Sequence, residues 1–123
     1  TRTFPVSGEF TKAQRDLYDL CLAAQKQGIE AVRPGVTVDE LHDRTIRTLT
    51  EGLIALGLMK GTADERIADK AFRKYFMHRT SHWLGMDVHD VGDYYVDGKS
   101  RALAPGMVLT IEPAGLDGNP LSP

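Results

Sequence analysis

A single cysteine, Cys21, stands in 123 residues. An intrachain disulfide is therefore excluded, and the fold rests on its core alone. No apolar run approaches the ~18 residues that a membrane span needs. Thr1-Arg2-Thr3-Phe4-Pro5 lacks the apolar core of a signal peptide. No stripe of Lys or Arg is visible and the net charge is −2, so no nucleic acid and no anionic membrane is expected as a partner. Internal repeats are absent. These absences together point to a cytoplasmic, reducing compartment.

The composition fits one globular domain, with 41% hydrophobic and 26% charged residues. A chain of this length buries roughly two thirds of its unfolded surface. It opens on Thr1 rather than methionine, which fits a fragment or a processed form.

Three capping boxes punctuate the first half. Thr11-Lys12-Ala13-Gln14, Thr37-Val38-Asp39-Glu40 and Thr62-Ala63-Asp64-Glu65 each place a Thr three residues before a Gln or Glu. Behind the first, Leu17, Leu20, Cys21, Ala24 and Gly28 fall on one helical face, and Arg33-Pro34-Gly35 stops the helix. Behind the second, Leu41, Thr45, Leu49, Leu53 and Leu56 recur at helical spacing up to Gly57. The third opens a shorter helix near Ile67.

After Phe72 the helical period ends. Tyr94-Tyr95-Val96 followed by Asp97-Gly98 reads as a strand and a hairpin turn. Pro105-Gly106 reads as a type II turn into a mostly apolar strand, Met107 to Glu112, stopped by Pro113. Helices first and antiparallel strands after make an α+β domain.

The chemistry concentrates between Tyr75 and Asp90, where His78, His82 and His89 stand among Phe76, Met77, Trp83, Leu84, Met86 and Val88. So many apolar residues predict a half-buried segment, in which imidazoles need hydrogen-bond partners, a metal or a substrate. His82 and Glu112 are the best metal-ligand pair by residue type. A hydrogen-bonded core histidine is the competing reading. His78 and His82 share a face only if helical, and no Glu follows His78 as the zinc-helix motif requires. His82 and His89 fall on opposite faces of a regular strand unless the chain bends at Gly85. Asp87, Asp90 and Asp93 offer further oxygens, although Asp in such stretches ordinarily caps or is solvated. His42, on the polar side of the second helix, is expected at the surface.

Phe76-Met77-His78, Ser81-His82-Trp83-Leu84-Gly85 and Val88-His89-Asp90, followed by Pro105-Gly106-Met107-Val108-Leu109-Thr110-Ile111-Glu112-Pro113, closely resemble the catalytic domain of the Xaa-Pro aminopeptidases. These are M24 metallopeptidases of the pita-bread fold. The resemblance runs from Thr1 to about Pro113. It implies a partial pita-bread domain over 1–113, with helices packed on a curved, mainly antiparallel sheet, and an irregular tail over 114–123.

By position in that family, His82 is a metal ligand and Glu112 is both metal ligand and general base. His78 and His89 contact the substrate and support the tetrahedral intermediate. The family's site holds two divalent ions, Mn first, with Co or Zn as alternatives. Its substrate is a peptide with proline second, whose first residue is released by metal-activated water.

The family's two aspartate ligands and its last glutamate have no counterpart in this sequence, and Ala114-Gly115-Leu116-Asp117 departs from the family's continuation. A full dinuclear site is therefore not expected, and activity is expected to be impaired. Homo-oligomers are expected, because a truncated sheet exposes apolar surface. The alternatives are a non-catalytic peptide- or protein-binding fragment and a truncated hydrolase of altered activity.

Overall fold

The computed structural model describes residues 2–113; the tail reading over 114–123 lies outside them. Helix α1 spans Lys12–Ala31, α2 Val38–Ala55 and α3 Ala63–Ala68, and a 3-10 turn covers Ala71–Lys74. All three capping boxes are formed. Thr11, Thr37 and Thr62 each accept from the backbone N–H three residues on, and Gln14, Glu40 and Glu65 accept from the cap N–H in return. Each such cap is worth about 1 kcal/mol. Among the described residues no helix is long and apolar enough to cross a membrane.

The helices pack in pairs. Leu20 of α1 lies directly on Gly52 of α2, where a Cβ would overlap its side chain. Ala24, Ile46, Leu49, Leu53, Met59, Phe72, Tyr75 and Phe76 are buried there as one cluster, with Leu17, Leu20 and Cys21 against it. The full burial of Phe76 alone stabilises by roughly 1.5–3 kcal/mol. Leu56, at the end of the predicted stripe, is 38% exposed because the helix ends beneath it.

A second cluster joins the helix ends to the later chain. It buries Ala31, Val36, Val38, Leu41, Trp83 and Leu103, with Tyr94, Met107, Leu109 and Ile111 packed on it. This cluster carries the site.

The strand region is antiparallel, as the sequence predicts, and small among the described residues. β1 (Tyr95–Val96) and β2 (Lys99–Ser100) form a hairpin. Asp97 and Gly98 turn it with φ of 51° and 72°, the two positive values of a type I′ turn. Single bridges join Thr37 to Ala102 and Trp83 to Leu109. Pro105-Gly106 makes its turn with Gly106 at φ 88° and Met107 N–H donating to Ala104 O. The following segment lies on α1. Gln25 Nε2 donates to Ile111 O at 3.2 Å, and a Cβ on Gly28 would stand 2.9 Å from Ile111 Cγ2.

Two sequence readings need correction. Phe76, Thr80, Ser81 and Trp83 are buried, but Met77, Met86 and Val88 are 66%, 101% and 67% exposed. The apolar run is therefore split: the paired residues go inward and the turn at 84–91 swings out. His42 is half-buried rather than a surface residue, because the residues around Thr80 fold over that side of α2.

Candidate metal centre

Residues 80–84 and 108–112 pair in one antiparallel register. Leu84 N–H donates to Val108 O, Thr110 N–H to His82 O, and Glu112 N–H to Thr80 O at 2.6 Å. Trp83 opposes Leu109 in this ladder. Side chains alternate across it, so Trp83, Leu109 and Ile111 reach the core while His82 and Glu112 become diagonal neighbours. Trp83 is pinned by Tyr94, whose ring stacks on it at 5.2 Å and whose hydroxyl accepts from Trp83 N–H at 3.0 Å.

His82 Nε2 lies 3.0 Å from Glu112 Oε1. Its other nitrogen, Nδ1, lies 2.8 Å from Trp83 O. A carbonyl only accepts, so Nδ1 carries the proton. In the neutral ring Nε2 then presents a lone pair to a carboxylate oxygen. Two acceptors held at this distance repel unless a proton or a metal cation lies between them. The imidazole side chain is 16% exposed and the carboxylate 47%, so the pair opens to solvent on one side.

The donor set suits a divalent ion. Imidazole nitrogen and carboxylate oxygen are ligands of Zn and of harder ions such as Mn. Two adjacent ligands of an octahedral ion, each about 2.1 Å from it, stand about 3 Å apart. The backbone acceptor at Nδ1 is the outer-shell partner that metal-binding histidines carry. Among the described residues, no group of three or more His, Cys, Asp or Glu side chains converges as a metal site.

The chain bends at Gly85, the condition under which His89 can return to His82. Gly85 N–H donates to Asp87 O, and Asp90 N–H returns to Trp83 O. This loop lays the His89 ring on His82, with centroids 4.3 Å apart and planes at 63°. Asp90 lies over Gly85, where any Cβ would overlap it, and accepts from Val91 N–H at 3.0 Å. Its role is local capping.

The structure thus brings His82, His89 and Glu112 together. His78 sits outside the ladder and no helix joins it to His82. Its ring meets Phe76 edge-on at 5.1 Å and its Nδ1 donates to Arg79 O at 2.8 Å.

Sequence reasoning missed five residues that hold this segment. Arg79 pairs with Asp39, which also accepts from Tyr95 O–H at 3.0 Å. The hydrogen bond from the Arg79 guanidinium holds the Asp39 carboxyl below its usual range. Thr80 is bonded to His42 Nδ1 through both its N–H and its hydroxyl. Burial pushes the His42 imidazole below its ordinary value, and the Arg79 cation adds to this. The available signal was the spacing of Asp39 and His42, three apart on the first turns of a capped helix.

A family model described as metallopeptidase family M24 matches residues 1–119. The chain is 52% identical over 113 residues to the Xaa-Pro aminopeptidase of Escherichia coli K12, covering 92% of this chain and 25% of that protein. It is 50% identical to the Xaa-Pro aminopeptidase of Haemophilus influenzae, at 92% and 26% coverage. Among solved structures, aminopeptidase PepP of Pseudomonas aeruginosa superposes with a TM-score of 0.87 at 47% identity, over 89% of this chain and 25% of that one. Zinc-substituted E. coli aminopeptidase P in complex with product gives 0.84 at 51%, with the same coverage. The fold is thus part of the pita-bread fold. The chain spans about a quarter of the length of the curated relatives it matches.

Proposed function

The chain belongs to metallopeptidase family M24, and from that premise we propose that it carries part of a Xaa-Pro aminopeptidase site. His82 Nε2 and Glu112 are the metal ligands, and His78, His89 and Glu112 act on the peptide. One observation carries this reading: the Nδ1–H of His82 is committed to Trp83 O, so its Nε2 faces the Glu112 carboxylate at 3.0 Å, a contact that a proton or a divalent ion between them satisfies.

A divalent ion held by His82 and Glu112, Mn first, would supply Lewis acidity and a more acidic water. The chain's own residues do the rest. Glu112, half open to solvent, accepts the proton of the attacking water as general base. His89, set edge-on against His82, donates a hydrogen bond to the developing oxyanion. His78 contacts the peptide. Trp83 and Tyr94 hold the ladder rigid, which keeps the reacting groups in register. The product is the free residue that preceded proline.

Two donors hold a hard ion weakly, because most of its coordination shell stays water. With this pair alone among the described residues, low activity of the 123-residue chain is expected. The small donor set among the described residues also favours a second reading, a peptide-binding fragment without chemistry. Release of the first residue from a peptide with proline second, with and without Mn, separates the two. Metal-dependent release that is lost in both His82→Ala and Glu112→Ala supports the peptidase reading. Peptide binding without release supports the second.

A further inference from the structure

The geometry points to His42 as a positioning residue for the His82–Glu112 pair, acting from α2 through Thr80. This rests on the metal-site reading above. His42 Nδ1 lies 3.3 Å from Thr80 N and 3.0 Å from Thr80 Oγ1. A backbone N–H can only donate, so Nδ1 is an acceptor and the proton of the neutral ring sits on Nε2. Burial supports that state by disfavouring the charged ring. Phe76 packs against the imidazole with centroids 5.6 Å apart and fixes its plane.

Thr80 is the far end of the site ladder. Its carbonyl accepts Glu112 N–H at 2.6 Å, and it stands two residues before His82. Thr80 therefore links α2 to the pair: its N–H and hydroxyl are held by His42, and its carbonyl sets where Glu112 begins. One turn earlier on the same helix, Asp39 grips Arg79. The start of α2 thus holds two consecutive residues, Arg79 and Thr80, through Asp39 and His42. Thr80 is 1% exposed, so no water can replace the imidazole as its partner without repacking. An imidazole that touches neither metal nor substrate then governs how firmly the metal ligands are aimed. Partners bonded directly to a ligand change metal affinity roughly 10- to 100-fold; His42 acts one bond further out, through the backbone of Thr80 and Glu112, so the lower end of that range is expected.

The test uses the whole chain in three forms: wild type, His42→Phe, which fills the space without an acceptor, and His42→Asn, whose side-chain oxygen can accept from Thr80. Two readouts are taken: amide exchange at Thr80 and Glu112 by NMR, and Zn affinity by calorimetry. His42→Phe is expected to speed exchange at both amides by roughly tenfold or more and to weaken Zn by roughly tenfold, with α1 amides unchanged. His42→Asn is expected to restore both. Wild-type exchange in a folded His42→Phe, or no rescue by a folded His42→Asn, overturns the proposal. If His42→Phe does not fold, His42→Asn against wild type decides alone: matched exchange and affinity uphold it, and loss of either overturns it. A wild type that binds no Zn sinks the metal-site reading, and with it the positioning role, even where exchange responds as expected.

Discussion

His82 and Glu112 stand thirty positions apart in the chain and 3.0 Å apart in space. One antiparallel ladder produces that meeting, and the ladder is anchored by its core-facing side chains. The site is therefore as stable as the packing behind it.

Trp83 is the centre of that packing, 7% exposed and stacked on Tyr94. Trp83→Ala is expected to cost about 3–5 kcal/mol, the range for removing a large buried ring, as read by urea denaturation. Trp83→Phe is expected to cost less, since the buried indole Nε1 has no hydrogen-bond partner to lose.

The hairpin depends on a backbone that side chains resist. Gly98 has φ 72°, and Gly98→Ala is expected to cost about 1–2 kcal/mol locally. Amide exchange of Lys99 and Ser100 should quicken while α1 and α2 stay protected. No change at those amides would mean that the turn is not under this constraint.

Acid should weaken the fold in two stages. His42 has a folded pKa below its ordinary 6.5, so the unfolded chain takes up a proton first as pH falls. Its contribution is complete above pH 6.5 and is lost as pH drops through the depressed folded value. Asp39 and Asp43 ease protonation of this ring, whereas Arg79 and His78 oppose it. Asp39, held below 3.8 chiefly by the Arg79 hydrogen bond, keeps its contribution above that pH and loses it further down. It is 36% exposed, so the second stage is small. Thermal denaturation from pH 8 to about pH 2 should show both stages, and His42→Asn should lack the first.

The local grammar of this chain was legible in its residues. Thr11, Thr37 and Thr62 announced their helices, because a cap and its partner lie three residues apart and report on nothing distant. Asp97-Gly98 and Pro105-Gly106 fixed their turns through the positive φ each requires. His82 and Glu112 were legible as residue types, whereas their meeting depends on the register between 80–84 and 108–112, which leaves no short-range trace. His42 was misread for the same reason. Its helical face looks polar in sequence, and only the arrival of Thr80 from 38 positions away turns it inward. Met86 and Val88 misled in the opposite sense: their apolar character suggested burial, but the bend at Gly85 carries them out.

The central claim is that His82 offers Nε2 to a cation shared with Glu112. Titration of the 15N-labelled chain with Zn, followed at the histidine ring nitrogens, tests it most directly. The account predicts that the Nε2 resonance of His82 moves while its Nδ1 stays protonated, and that Glu112→Gln weakens the response by at least roughly tenfold. A His82 ring unmoved at millimolar Zn, or one that responds at Nδ1, would contradict it.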